Sequence, residues 1–181
     1  YNFADYTLNT NFQIGIKTDI DAFFDSINTN ILCLQLQGMY GLDPIFPVLD
    51  KIIKVKAKGI EQGNPLSPLL SNIYLLPLDR EFMRKGFHYV RYADDLVLMD
   101  KNQADPEKLF TLINKTLALL KLHISEDKTC LFHQEDEIIF LGYKINATGF
   151  FNLSEFGKDT EPLISDKDNS SKNNPVFPPG I

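Results

Sequence analysis

The sequence predicts an α+β fold: a largely antiparallel sheet with helices packed on one face and a disordered C-terminal tail. Three observations carry this. Residues 12–20 alternate strictly between apolar and polar types, the signature of a half-buried strand. Two capped helix starts, Asn64-Pro65 and Asp105-Pro106, each open an apolar run at helical spacing. Short β-type runs separated by turn residues lie between and after these helices.

In chain order, Phe12, Ile14, Ile16, Thr18 and Ile20 share one face of the first strand. Gln13, Gly15, Lys17 and Asp19 share the other, expected to be polar and solvated. A short helix over Asn30–Gln37 follows, with Gly38 able to end it. Ile53, Val55 and Ala57 alternate with Lys54, Lys56 and Lys58, which reads as a strand carrying a lysine ladder. The ladder is either a charged solvated edge or a phosphate contact. After Asn64, the residues Leu66, Leu69, Leu70, Ile73, Tyr74, Leu78 and Phe82 form a helix that Pro77 should kink and Gly86 should close. His88–Met99 reads as two strands around a tight turn with Ala93-Asp94-Asp95 at its tip. A helix runs from Asp105 to about Lys121, and strands are expected over Leu131–His133, Ile138–Ile145 and Phe150–Leu153. Residues 1–153 thus form the predicted domain, and 154–181, rich in Pro, Asp, Asn, Ser and Lys, a polar linker or disordered tail.

Composition narrows the function classes. The chain has 181 residues, 44% apolar and 23% charged, which excludes collagen-like and wholly disordered chains. No apolar run reaches the roughly 18 residues of a membrane span, so no membrane partner is expected. The opening YNFADYTLNT has no initiator Met, no basic segment and no apolar run, and reads as an internal piece of a longer protein rather than a secretory signal. Cys33 and Cys130 form no metal or redox motif and read as reduced thiols of a cytoplasmic protein. A net charge of −6 argues against a broad nucleic-acid-binding surface.

Three carboxylates stand where acidic residues are costly. Asp19 ends the first strand, and Asp94-Asp95 occupy a hairpin tip. Adjacent carboxylates repel one another unless a cation compensates. If the two elements pair, their oxygens form one cluster suited to a hard divalent cation such as Mg²⁺. The plainer alternative is local: Asp tolerates turn dihedrals, and an Asp at a strand end can simply cap it.

At this point the ordered motifs resemble those of bacterial reverse transcriptases. Lys17-Thr18-Asp19-Ile20-Asp21-Ala22-Phe23-Phe24-Asp25-Ser26-Ile27 resembles the first palm motif, and Gly59–Leu75 the second. Tyr92-Ala93-Asp94-Asp95 resembles the YxDD box in its group II intron-like Ala form, also found in CRISPR-associated enzymes. Ser125-Glu126-Asp127-Lys128-Thr129 resembles the fourth motif and Phe140-Leu141-Gly142-Tyr143 the primer grip.

The resemblance implies a polymerase palm and an RNA-directed DNA polymerase working by two-metal phosphoryl transfer. Asp19 and Asp94 would be the main ligands of two Mg²⁺ ions (Mn²⁺ being a substitute), Asp95 a supporting carboxylate and Ile20 a backbone carbonyl ligand. Phe24 would exclude a ribose 2′-hydroxyl, and Gln62 and Gly63 would border nucleotide and template. Lys128 would protonate pyrophosphate, while Leu141 and Gly142 would seat the primer end. Phe24 read without the motif is equally a core side chain, and Lys128 a solvated turn lysine.

The implied partners are an RNA template, a DNA primer and deoxynucleoside triphosphates, with a fused or partner endonuclease or CRISPR integrase. Glu61 and Asn64 depart from the family's usual Pro and Ser. Fingers and thumb are missing or incomplete, so this segment alone is expected to be inactive; the missing parts would supply the positive charge this acidic palm lacks. Two alternatives stand beside this reading. One is a catalytically silent nucleic-acid-binding or intron-splicing helper with the same fold. The other is a different palm enzyme, such as an RNA-templated RNA polymerase or nucleotide cyclase, which Phe24 and the YADD box disfavour.

Overall fold

The computed structural model describes residues 12–54, 58–100, 105–146 and 149–152, with 145–146 and 149–152 given by backbone alone. Its centre is strand β1, Ile14–Asp19. On one side β1 pairs antiparallel with β3, Asp95–Asp100, which pairs in turn with β2, His88–Tyr92. On the other side it pairs antiparallel with β4, Cys130–His133. The sheet order is therefore β2-β3-β1-β4, antiparallel throughout as the alternation predicts.

Five helices accompany the sheet among the described residues: α1 (Phe23–Ser26), α2 (Thr29–Tyr40), α3 (Phe46–Ile53), α4 (Ser67–Arg84) and α5 (Pro106–Leu119). Ile14 and Ile16 of β1 join Leu96 and Leu98 of β3 in a core with Phe23, Leu36, Tyr74, Leu78, Phe82, Ile113 and Leu117 from the helices. Tyr74 ties this layer together. Its buried hydroxyl donates to the Leu120 carbonyl and accepts from the Asn28 N–H at 3.1 Å. One side chain of α4 thus satisfies backbone groups at the start of α2 and the end of α5.

The opposite face departs from the expectation of a solvated surface. It carries a second apolar cluster of Phe12, Val97, Met99, Phe132, Ile138 and Phe140. Phe12 lies outside the strand and belongs to this cluster, not to the face of Ile14. Phe132 is the cross-strand partner of Gly15, and its ring occupies the space a side chain there would take. A glycine in the middle of the strand is therefore the slot into which β4 packs its aromatic.

Several predicted boundaries move. The helix expected over Asn30–Gln37 runs from Thr29 to Tyr40, straight through Gly38. Its cap is Asn28, whose side chain accepts from Ile31 N–H at 3.2 Å. Ile53 is not in a strand: it ends α3, and Lys54 caps that helix and pairs with Asp50 at 2.7 Å. The rest of the lysine ladder, at 55–57, lies outside the described residues. Asn64 caps a preliminary turn, accepting from Leu66 N–H at 2.9 Å, and α4 proper starts at Ser67 with Pro68 in its first turn. That helix continues through Pro77. It closes as predicted at Gly86, where the Gly86 and Phe87 N–H groups donate to the carbonyls of Met83 and Phe82.

The strand expected over Ile138–Ile145 is two strands, β5 (Ile138–Phe140) and β6 (Tyr143–Asn146), folded back at Leu141-Gly142. Both turn residues have positive φ, 52° and 79°, the geometry of a two-residue hairpin. β6 pairs with β7, Gly149–Asn152. The predicted tail at 154–181 lies outside the described residues.

The close fit at Gly15 is testable. Gly15→Ala places a methyl 2.3 Å from the Phe132 ring, inside contact distance, and is expected to destabilise the fold by about 1–3 kcal/mol, the usual cost of overpacking. Phe132→Leu in the same chain should recover part of that loss. Urea unfolding of the three variants measures it, and an unchanged midpoint for Gly15→Ala would show that the aromatic moves aside freely.

Candidate active site

The β1–β3 register sets Asp19 directly opposite Asp95 at one end of the sheet. Asp94 precedes Asp95 in the β2–β3 turn, and its backbone carbonyl accepts from the Ile20 N–H at 3.2 Å. The three carboxylates named from sequence thus meet at one sheet edge, on the side away from the helices. Asp19 is buried at 8% exposure, so its charge cannot be shed to solvent.

Electrostatics follow from that crowding. Burial, first, holds the Asp94 carboxyl above its ordinary value; the Asp19 carboxylate within hydrogen-bonding reach and the charge of Asp95 push it further. The compensating cation is Lys128, whose ammonium pairs directly with Asp19. That bond and the charge of Asp19 raise the Lys128 pKa above its ordinary value, with smaller contributions from Asp94 and Asp95. Lys128 sits in a 3-10 turn, Glu126–Lys128, that is fastened to β1. Ser125 N–H donates to the Asp19 carbonyl at 2.8 Å, and the Thr18 and Thr129 hydroxyls meet at 2.7 Å. Lys128 is thus both a turn lysine with a largely exposed side chain and the cation paired with Asp19.

The remaining predicted residues divide. Ile20 lies between two ladder bonds made by Asp19 and Asp21 to the 123–125 segment, while its own N–H turns to Asp94. Phe24 lies on α1, half-buried, with its ring 5.4 Å from that of Phe23. The Gly59-Ile60 segment docks onto α1 through Gly59 N–H to Ile27 O and Ile60 N–H to Phe24 O, both 2.9 Å. That carries Gln62 and Gly63 into the neighbourhood of α1; both are exposed, and Gly63 has φ +87°. Leu141 and Gly142 form the tip of the β5–β6 hairpin, with Leu141 exposed.

Sequence reading missed a polar network behind the carboxylates. Arg91 of β2 forks onto Asp79 of α4 at 3.0 and 2.8 Å. Its third nitrogen donates to Asn72 at 3.0 Å and to the Ala93 carbonyl at 2.9 Å. Tyr89 donates to Asp79 at 2.9 Å, and burial, with the Asp79 charge, raises its pKa so that it stays a donor. The signal was available: Asp79 falls beside Leu78 and Phe82 on a helix, and Arg91 follows Tyr89 by two residues, on the same strand face.

Could this edge hold a metal ion? Among the described residues no three His, Cys, Asp or Glu side chains enclose an ion by themselves. Mg²⁺ does not require that, because it typically takes one or two carboxylates and completes its shell with water and substrate phosphates. Asp19 and Asp94 in mutual reach, with Lys128 paired to Asp19, fit that pattern.

Comparison with known proteins now bears on the reading. The profile of the family described as reverse transcriptase (RNA-dependent DNA polymerase) matches residues 4–145. The chain belongs to the reverse transcriptase family. The retron Ec86 reverse transcriptase of Escherichia coli is 30% identical over 134 residues, covering 72% of this chain and 41% of that protein. Protein YkfC of Escherichia coli K12 is 26% identical over 175 residues, covering 72% of this chain and 46% of that protein. The chain spans less than half the length of the curated relatives it matches. Apo telomerase from Candida tropicalis, truncated from its C-terminal domain, shares the fold at TM-score 0.66 and 18% identity, over 79% of this chain and 36% of that one. This reverse transcriptase chain has no described helix long and apolar enough to cross a membrane.

The raised Asp94 carboxyl predicts a stability trade. An acid whose folded pKa exceeds its unfolded value binds its proton more tightly when folded, so stability falls as pH rises from the ordinary 3.8 through the folded value. Asp94→Asn removes that charge and is expected to raise Tm at pH 7 without metal, by a few degrees at most because a half-exposed carboxylate is screened. The gain should vanish as pH falls toward 4. Calorimetry across that range checks it; a lower Tm for the variant at pH 7 would refute the strain.

Proposed function

We propose that this chain is the palm of an RNA-directed DNA polymerase that adds deoxynucleotides to a primer 3′-hydroxyl. The observation that carries it is the set of three carboxylates brought together by the β1–β3 register in a chain of this family. Asp19 and Asp94 would hold two Mg²⁺ ions, with Asp95 supporting them and the Ile20 carbonyl as a further ligand. When bound, such ions lower the pKa of the attacking hydroxyl and neutralise charge on the leaving pyrophosphate.

The chain's own residues supply the rest. Asp19 and Asp94 place negative charge where the reacting phosphates arrive. Lys128 neutralises Asp19 before substrate binds and then stands within reach of the departing pyrophosphate, to which it would donate a proton. A lysine ammonium holds that proton at neutral pH, and the pairing with Asp19 holds it more tightly still until substrate arrives. Phe24 is braced against Phe23 and so presents a stiff ring, supporting exclusion of a ribose 2′-hydroxyl. Gln62 and Gly63 border nucleotide and template, and the Leu141-Gly142 tip seats the primer end.

Template binding is supported by the family and by telomerase from Candida albicans, solved with a fragment of telomeric RNA and alike in fold at TM-score 0.63 and 15% identity. The motif resemblance supports an intron, retron or CRISPR setting with a fused or partner endonuclease or integrase. The retron relatives favour the retron member of that set.

Primer extension on an RNA template by the complete protein tests the proposal. Asp94→Asn is expected to lower the rate by about three orders of magnitude, the scale of losing a key charge-stabilising group. Extension that survives this change would remove the proposed chemistry. Phe24→Ala is expected to leave deoxynucleotide addition largely intact and raise ribonucleotide incorporation by about 10–100-fold, the range for opening space for one small group. Equal discrimination in both proteins would take the sugar-selecting role away from Phe24.

A further inference from the structure

The turn that carries Asp94 has an unfavourable backbone. Tyr92 pairs with Asp95, so Ala93 and Asp94 alone make the reversal. Ala93 has φ 52°. Two-residue hairpins place glycine or asparagine at such positions, because a Cβ there crowds the following carbonyl. An alanine in this conformation persists only when its surroundings over-determine it.

Arg91 supplies the determination. Its Nη1 donates to the Ala93 carbonyl at 2.9 Å, holding the peptide group that follows the strained residue. The same nitrogen donates to Asn72, and the other side of the fork is closed on Asp79. Asp79 and Asn72 lie two turns apart on α4, an 18-residue helix anchored in the main core. The Arg91 side chain is 8% exposed, and its bonds to Asp79 and Ala93 are partly buried while that to Asn72 lies at the surface. A rigid path therefore runs from the α4 backbone through one guanidinium to the Ala93 carbonyl. One residue later the Asp94 carbonyl receives the Ile20 N–H, next to Asp19.

We propose that Arg91 is the positioning residue of the carboxylate turn: by holding Ala93 in its left-handed conformation against α4, it fixes Asp94 relative to Asp19. Lysine cannot substitute, because a single ammonium cannot fork onto Asp79 and reach Asn72 and the Ala93 carbonyl together. Arg91 touches no reacting atom and acts through Asp94.

Two readouts test this in the whole chain, on Arg91→Lys and, as a second variant that keeps the guanidinium but weakens its anchor, Asp79→Asn. The first is native-state hydrogen exchange. Exchange of the Ile20 amide, which reports the Asp94 carbonyl, is expected to accelerate at least tenfold, while the amides of the central pair Ile16 and Leu98 stay within twofold of the parent. The second is Mn²⁺ affinity measured by electron paramagnetic resonance, expected to fall at least fivefold in both variants. This second arm rests on the proposed metal role, and Asp94→Asn serves as its control. If Ile20, Ile16 and Leu98 accelerate together, Arg91 is a general stabiliser and the proposal falls. It also falls if none of them moves. Should Asp94→Asn leave Mn²⁺ affinity unchanged, the metal reading fails, and the exchange result alone upholds or overturns Arg91.

Discussion

The antiparallel ladder between β1 and β3 is the constraint on which the site depends. It sets Asp19 opposite Asp95, and a slip of one residue would send Asp19 to the helix face and replace it with Thr18 or Ile20. Burial on both faces forbids that slip. Ile14 and Ile16 lock with Leu96 and Leu98 under the helices, while Val97 and Met99 lock with Phe132 on the other side. A strand with only one buried face would have a weaker preference for its register. The second apolar cluster, although remote from the chemistry, therefore helps to aim the carboxylates.

That aim has an electrostatic consequence. Three acidic side chains converge where one is buried and another half-buried, and the cation paired with them differs in kind from the cation held behind them. Lys128 is long, largely exposed and attached to a short turn, so little packing holds it beside Asp19. Arg91 is buried, forked and fixed to α4, so it cannot leave. The loosely held charge sits at the carboxylates and the firmly held one behind them, an arrangement that would suit the proposed metal role.

The elements that alternate or carry caps were legible in the sequence: β1, the β2–β3 hairpin, α5 behind Asp105, and the carboxylate meeting point. What escaped depended on partners distant in the chain. Gly15 looks like an unremarkable polar-face residue until Phe132, over a hundred residues away, is laid over it. The turn at Leu141-Gly142 was hidden because leucine is a poor guide to a positive φ. Helix α3 was obscured by lysines following Ile53 that imitate strand alternation, although Lys54 in fact answers Asp50 one helical turn back. Arg91 was passed over because an arginine in a half-exposed strand ordinarily faces water, and the signal that Asp79 lies beneath it is split between a helix and a strand.

The plainer account of Asp94-Asp95, that aspartate appears at turns because it tolerates turn dihedrals, makes a specific claim about backbone geometry. It requires the aspartate to occupy the position with positive φ or to bond the turn's own amides. Here the positive φ falls on Ala93, which has no polar group to offer, and Asp95 already stands in the β3 ladder. Asp94 does bond its own backbone N–H in the turn, yet its half-buried carboxyl is still held above its ordinary value by burial and by Asp19, which works against the stability of the fold that holds it. Turn chemistry thus accounts for part of this carboxylate, and the unfavourable field it shares with Asp19 and Asp95 is the part that the proposed metal role would explain. A hard divalent cation arriving with phosphate satisfies both the charge and the all-oxygen ligand set.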